Sequence, residues 1–241
     1  MANQKVDILA IGAHPDDVEL SCSGTLLRHI DLGYKVGLVD LSQGELGTRG
    51  NATLRLEEAE ASRKLMGAVV RENLGLPDGF FEQDKKSLIK LIYAIRKYRP
   101  DIVLANALED RHPDHGRGAD FISRACFLSG LIKIETTNDG VDQSHWRPRA
   151  IYHYIQDHHR TPDVVVDISD YLEKKMACIK CFSSQFYDPD SEEPESPISG
   201  KGFMDYIESK ARIFGRYIDV DYAEGFEVSR PIGASDLIKL D

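Results

Sequence analysis

Residues 6–17 read VDILAIGAHPDD, an apolar run that ends in a cluster of polar side chains. The run from Val6 to Ile11 is rich in β-branched and apolar residues, which is typical of a strand buried on both faces of a parallel sheet. We predict three further strands on the same grounds, at Lys35 to Leu41, Ala68 to Leu74 and Asp101 to Ala105.

The segments between these strands carry apolar residues at helical spacing. We predict helices over Val18 to Leu32, Thr53 to Met66, Ser87 to Tyr98 and Gly118 to Leu131. Strands that alternate with helices indicate an α/β fold, so we expect a Rossmann-like three-layer domain with a mostly parallel sheet flanked by helices.

The 241 residues are enough for one large domain, and no break separates two cores. We expect a metal-binding α/β core at about 5–135 and C-terminal elements at about 145–241 that complete the pocket. In the second half we predict strands at Ala150 to Tyr154 and Val164 to Asp167, a helix ending near Cys181, a mobile loop at 187–200 and a last helix at 201–217.

Composition restricts the possible partners. The formal net charge of -10 and the pI near 5.3 provide no basic surface for phosphates, so we expect a small polar substrate and no nucleic acid. The apolar stretches are too short for a signal peptide or a membrane span, which predicts a cytoplasmic protein without a membrane partner. Four cysteines are too few for a disulfide framework, and we interpret Cys178-x-x-Cys181 as incidental thiols.

A polar cluster follows each of the first four strands. In open α/β sheets the ligand crevice lies beyond the carboxyl ends of the strands, so these clusters are expected to converge on one site. They occupy residues 12–17, 42–50, 77–79 and 109–115.

Two of the clusters contain candidate metal ligands. His14 and Asp17 are three residues apart at a helix start, and His112 and His115 repeat that spacing. A catalytic zinc takes three protein ligands and leaves one position for water. We assign His14, Asp17 and His115 as ligands of a zinc or another divalent ion, with Asp16 and His112 free beside it.

Other interpretations compete for these residues. Asp16 and Asp17 could cap a helix, and the second motif could be a surface turn. A dinucleotide site would place an acid at Asp40, but Pro15 and the two carboxylates occupy the loop that a pyrophosphate needs. Two histidines and a carboxylate could also hold Fe²⁺. The spare Asp16 and His112 favour hydrolysis, which needs a base and an oxyanion donor.

The two motifs AHPDD (13–17) and HPDH (112–115), with GELGTRG (44–50) between them, resemble the PIG-L/LmbE-like zinc N-acetylglucosaminide deacetylases. The segments LGLPDG (74–79), SQF (184–186) and YAEGF (222–226) look most like the bacillithiol-biosynthesis deacetylases, which remove acetate from N-acetyl-glucosaminyl malate. Mycothiol-pathway relatives carry a tyrosine at the position of Asp110, so this chain departs from them.

The resemblance implies zinc at His14, Asp17 and His115, Asp16 as general base and His112 as the protonated partner of the reaction intermediate. It also implies a homo-oligomer. Zinc activates a bound water for hydrolysis of the acetamide.

Substrate contacts are expected from the same loops. Arg49 and Arg111 suit the carboxylates of malate, and Asp78 could accept bonds from sugar hydroxyls. Asp114 is a carboxylate that could orient one of the histidines. Arg147, Tyr187 and Tyr206 remain unplaced. Two alternatives stay open: a zinc deacetylase of another N-acetyl amino sugar or amidated thiol conjugate, and a non-enzymatic sugar-binding module with a structural metal.

Overall fold

The structure is a computed structural model that describes residues 5–234 and residue 236. Nine strands are present among these residues. They are β1 (Ile8–Gly12), β2 (Val36–Ser42), β3 (Val70–Leu76), β4 (Ile102–Ala105), β5 (Thr137–Asn138), β6 (Val141–Asp142), β7 (Ala150–Tyr154), β8 (Val164–Asp167) and β9 (Ala223–Val228).

Seven strands form one sheet in the order β3-β2-β1-β4-β7-β9-β8. The pairs from β3 to β7 are parallel, whereas β9 runs antiparallel to both β7 and β8. The short strands β5 and β6 pair with each other in a separate hairpin. The C-terminal half therefore extends the sheet that the first half begins.

Six α-helices in the described part of the chain cover the two faces of the sheet. They are α1 (Asp17–Asp31), α2 (Ala52–Met66), α3 (Lys85–Tyr98), α4 (Pro113–Ser129), α5 (Leu172–Lys180) and α6 (Lys201–Gly215). Alternate residues of β1 point to opposite faces, so Leu9 packs with α3 and α4 while Ile8 packs with α1. This arrangement confirms the predicted α/β fold with a mostly parallel sheet.

Helix α4 begins at Pro113, five residues before the predicted start at Gly118. His112 is the residue that caps the helix, because its Nδ1 accepts the backbone N–H of Asp114 at 3.2 Å. Proline is favoured at the first helical position, where no N–H is needed. The second motif thus occupies a helix start and not a free turn.

Strand β9 was not predicted from the sequence. Its residues Glu224, Gly225 and Glu227 interrupt the apolar pattern expected of a buried strand.

Cysteines 22, 126, 178 and 181 are free thiols, in agreement with the prediction. Within the described residues, no helix has the length and apolar character needed to cross a membrane.

Candidate active site

The loops that follow β1, β2, β3 and β4 line one cavity of about 440 Å³. Its wall contains nearly all the residues that the sequence singled out: His14, Asp16, Asp17, Arg49, Asp78, Arg111, His112 and His115. Asp114 is fully buried directly behind His14. Residues of the C-terminal half, among them Gln156, Tyr206 and Lys210, close the opposite side. Arg147 lies elsewhere, with its guanidinium 4.4 Å from the ring of Phe127.

The imidazole of His14 lies between carboxylates. Its Nε2 is 2.9 Å from Asp78 Oδ1 and 3.4 Å from Asp114 Oδ2, and its Nδ1 is 3.7 Å from Asp17 Oδ2. Burial alone would lower the pKa of His14, but the carboxylates of Asp114, Asp78 and Asp17 outweigh it and raise this pKa to about 10.

His115 repeats this arrangement. Its Nε2 is 3.1 Å from Asp17 Oδ1, and its Nδ1 is 2.5 Å from Asp110 Oδ2. Burial opposes the charged form, but Asp17 and Asp110 together raise the pKa of His115 to about 9. Burial would likewise raise the pKa of Asp17, yet its two histidine neighbours hold that pKa well below its usual range.

These contacts fit a divalent cation. A histidine that binds a metal with one ring nitrogen usually donates its other N–H to a carboxylate or carbonyl. His14 turns Nε2 to Asp78 and His115 turns Nδ1 to Asp110, while the remaining nitrogen of each ring faces Asp17. A cation at that point would add positive charge among carboxylates that the two imidazoles otherwise balance together with Arg117, which lies 3.4 Å from Asp114 Oδ1.

Two other groupings of possible ligand atoms are present among the described residues. The ring nitrogens of His14, His112 and His115 lie within 4.8 Å of one another, as do the ligand atoms of His14, Asp78 and Asp114. The geometry therefore allows His112 as well as Asp17 to complete the ligand set. His112 Nδ1 already accepts a backbone N–H, which leaves its Nε2 as the N–H donor of the neutral ring.

Burial and the neighbouring histidines lower the pKa of His112. An imidazolium at this position would lose the bond that its Nδ1 accepts from the backbone N–H of Asp114. The neutral ring is thus the form that this environment stabilises, and it still offers one N–H to the cavity.

Asp16 occupies a strained backbone conformation with φ of 114° immediately before α1. Its side chain makes no capping bond to the helix and instead accepts from Arg55 Nη2 at 2.6 Å. Burial raises the pKa of Asp16, and Arg55 offsets part of that effect, so the value lies at about 6. A carboxylate of this kind can both take and return a proton near neutral pH.

Several residues that the sequence analysis did not assign to the site contact it directly. Arg55 fixes Asp16, and Asp110 fixes His115. Asn106 follows β4 directly and Gln156 lies two residues beyond β7, so the rule that sites lie beyond strand ends applies to both. Arg55 lies inside α2, and its sequence context gave no such signal.

The three predicted substrate contacts line the cavity but already have protein partners. Arg49 donates to Phe186 O at 3.3 Å and to Ser191 Oγ, while its buried Nε has no partner among the described residues. Arg111 donates to Asp157 at 2.6 Å. Asp78 is the carboxylate nearest His14, so its main contact is with a candidate metal ligand and not with open cavity.

Fold and site together define the class: an α/β protein with a carboxylate-histidine centre suited to a divalent metal at the carboxyl edge of its sheet. The model of the family "PIG-L: GlcNAc-PI de-N-acetylase" matches residues 9–126. The first half of the chain is thus similar to the PIG-L family, and the protein is an enzyme. Removal of an N-acetyl group is the reaction that the family description names.

Similar proteins extend the match over nearly the whole chain. A diacetylchitobiose deacetylase of Thermococcus kodakarensis is 29% identical, over 92% of this chain and 83% of its own. The crystal structure of a conserved protein from Thermus thermophilus is 31% identical with a TM-score of 0.84, over 96% of this chain and 98% of its own. A 4-oxalmesaconate hydratase of Pseudomonas putida is 28% identical, over 73% of each chain. The alternative of a non-enzymatic binding module therefore no longer stands.

Proposed function

We propose that this protein is a zinc-dependent deacetylase that removes the N-acetyl group of N-acetyl-glucosaminyl malate, with His14, Asp17 and His115 as the metal ligands. The observation that carries the proposal is the position of Asp16. Its carboxylate is buried in the cavity wall next to the candidate ligands, and its raised pKa suits it to proton transfer.

When bound, the zinc ion would polarise the acetyl carbonyl and increase the acidity of a water molecule. Its charge would also compensate the carboxylates gathered around His14 and His115. Fe²⁺ or another divalent ion would serve the same ligands.

Asp16 takes a proton from the attacking water in this proposal. Once protonated, it returns that proton to the nitrogen of the leaving amine, so that one carboxyl group serves both steps. Arg55 holds the carboxylate in place from behind and keeps its pKa from rising further. Proton transfer of this kind contributes about 10²–10⁴-fold to a rate.

His112 donates its Nε2–H to the carbonyl oxygen of the acetyl group as that oxygen gains negative charge. The bond from the Asp114 backbone N–H to Nδ1 orients the ring for this role. Removing a single donor of this type costs on the order of a hundredfold in rate or more. The carbonyl carbon then lies between Asp16 and His112.

Cationic side chains in the cavity favour a substrate that carries the two carboxylates of malate. The Nε of Arg49 is buried and has no partner within the part of the chain that the structure describes, and Arg111 is held at the rim by Asp157. The two carboxylates of malate suit two guanidinium groups, which bind carboxylates through paired N–H donors. Lys210, also in the cavity wall, adds a third positive charge.

The test is acetate release from N-acetyl-glucosaminyl malate by the full chain, stripped of metal and then reloaded with zinc. We expect release only after reloading, and loss of release in Asp16→Asn with its zinc content unchanged. Fully loaded enzyme that releases no acetate from this compound would overturn the malate assignment.

N,N′-diacetylchitobiose is the second candidate substrate, because one of the relatives matched along the chain is a diacetylchitobiose deacetylase. The two substrates differ in charge, so Arg49→Met and Arg111→Met separate them. Both substitutions should raise KM for the malate conjugate and leave KM for the neutral sugar nearly unchanged.

A further inference from the structure

Two side-chain amides lie against Asp17, and the proposed function makes no use of them. Gln156 Nε2 is 3.1 Å from Asp17 Oδ1, and Asn106 Nδ2 is 2.9 Å from Asp17 Oδ2. All three side chains are buried. The two amides thus contact opposite oxygens of one candidate metal ligand.

The orientation of the Gln156 amide is fixed by its other end. Its Oε1 accepts from Asn106 Nδ2 at 3.0 Å and from the backbone N–H of Ala107 at 3.1 Å. An amide group carries its acceptor on one side and its donors on the other, so Nε2 has to face Asp17. Lys210 donates to the backbone oxygen of Gln156 and anchors this residue to α6.

The two oxygens of Asp17 differ in the donors that they accept. Oδ2 accepts two donors that no ion displaces, the backbone N–H of His14 at 3.0 Å and Asn106 Nδ2. Oδ1 accepts the amide of Gln156, and its second partner is His115 Nε2 at 3.1 Å, a candidate ligand atom that must lose its proton to bind an ion. Because a carboxylate oxygen has two lone pairs, Oδ2 is filled, whereas Oδ1 regains one lone pair on the side of His115 when that proton leaves.

We propose that Gln156 and Asn106 form an amide clamp that makes Asp17 a ligand through Oδ1 alone. This inference rests on the proposed ligand set of His14, Asp17 and His115. A carboxylate can bind a cation through one oxygen or through both. Binding through one oxygen leaves a coordination position free for water, which a hydrolytic site requires. Gln156 and Asn106 are positioning residues, because they act through Asp17.

The experiment titrates the metal-free full chain with Co²⁺. It records the visible absorption of the bound ion, which is more intense at low coordination number, and measures affinity by competition with a chelator. Two nearly isosteric variants remove the amides, Gln156→Met and Asn106→Leu. The matched control is Gln83→Met, because the amide of Gln83 donates to Asp120 at the surface.

Wild type and Gln83→Met should bind one Co²⁺ with the same intense spectrum. Asn106→Leu frees Oδ2, so Asp17 should bind through both oxygens and the absorption should weaken. Gln156→Met should bind Co²⁺ about 10–100-fold more weakly, the usual effect of losing a residue that orients a ligand.

Thermal unfolding of each variant identifies any that fails to fold, and either folded variant decides the question by itself. A folded variant with the wild-type spectrum and affinity would overturn the clamp. Wild-type protein that binds no Co²⁺ would overturn the ligand set, and the clamp with it. The first failure is seen only in a variant and the second already in wild type, so the two are distinguishable.

Discussion

Arg55 Nη2 lies 2.6 Å from Asp16 Oδ2, and both side chains are buried in the cavity wall. The guanidinium also donates to Pro15 O at 3.1 Å and to Gln185 Oε1 at 3.0 Å, so its position does not depend on Asp16 alone. Arg55 therefore supplies a fixed positive charge beside the proposed general base.

Replacing Arg55 by methionine should shift the acid limb of the kcat/KM profile to higher pH. The guanidinium lowers the pKa of Asp16, so its removal raises that pKa above about 6 and leaves less carboxylate at neutral pH. Activity should therefore fall more at pH 6.5 than at pH 8.5. Arg55→Lys, which keeps the charge, is the control and should shift the limb less. An unchanged acid limb in Arg55→Met would contradict the role given to Arg55.

Asp110→Asn should weaken zinc binding about 10–100-fold, the usual effect of losing the carboxylate behind a metal-binding histidine. Asp110 holds His115 through Nδ1 at 2.5 Å, so the variant loses both the orientation of the ring and its negative partner. Chelator competition measures the change. Glu109→Gln is the matched control, because Glu109 is exposed and pairs with Arg160 at the surface. Equal affinities for the two variants would show that Asp110 does not support the metal site.

Zinc binding should release about two protons per ion at about pH 7.5. Carboxylate neighbours raise the pKa of His14 to about 10 and that of His115 to about 9, so both rings hold an extra proton in the metal-free protein. Both must lose it to bind the ion. Affinity should consequently rise with pH and level off above these pKa values. Calorimetry in buffers of different ionisation enthalpy counts the protons, and release of fewer than one would argue against this pair of ligands.

The sequence predicted the helix and strand layers of the fold and the edge of the sheet at which the candidate site lies. Both depend on short-range patterns in the sequence. The apolar run at Val6 to Ile11 and the helical spacing after Asp17 persist in the structure with small changes in their bounds. Each polar cluster directly follows a strand, and parallel strands present their carboxyl ends at one edge. This rule was sufficient to predict that His14 and His115 lie close together.

What the sequence did not predict depends on partners far along the chain. Strand β9 contains Glu224, which a buried strand tolerates because Lys175 and two backbone N–H groups of α1 bind its carboxylate. The sequence placed Arg49 at the cavity but did not reveal that the oxygens of Phe186 and Ser191 take up part of its guanidinium. Arg49 and its two partners are more than a hundred positions apart in the sequence. No local sequence pattern predicts contacts of this kind.

The buried ion pair of Lys175 and Glu224 provides the last prediction. Lys175 Nζ is 2.6 Å from Glu224 Oε1 and also donates to Leu20 O at 2.8 Å. Glu224 in turn accepts the backbone N–H groups of Gly24 and Thr25. The pair thus ties α5 and β9 to the middle of α1, the helix whose first residue is Asp17.

Lys175→Met should lower the free energy of unfolding by about 3 kcal/mol, because it leaves the Glu224 carboxylate buried without its cation. Lys174→Met, at the exposed neighbouring position, should change it by less than about 0.5 kcal/mol. In the double variant Lys175→Met/Glu224→Gln the loss should be smaller than in Lys175→Met, because no unpaired charge remains in the core. Urea unfolding measures these three variants and the single variant Glu224→Gln. A double variant that loses as much as the sum of its single substitutions would show that the two side chains stabilise the fold independently.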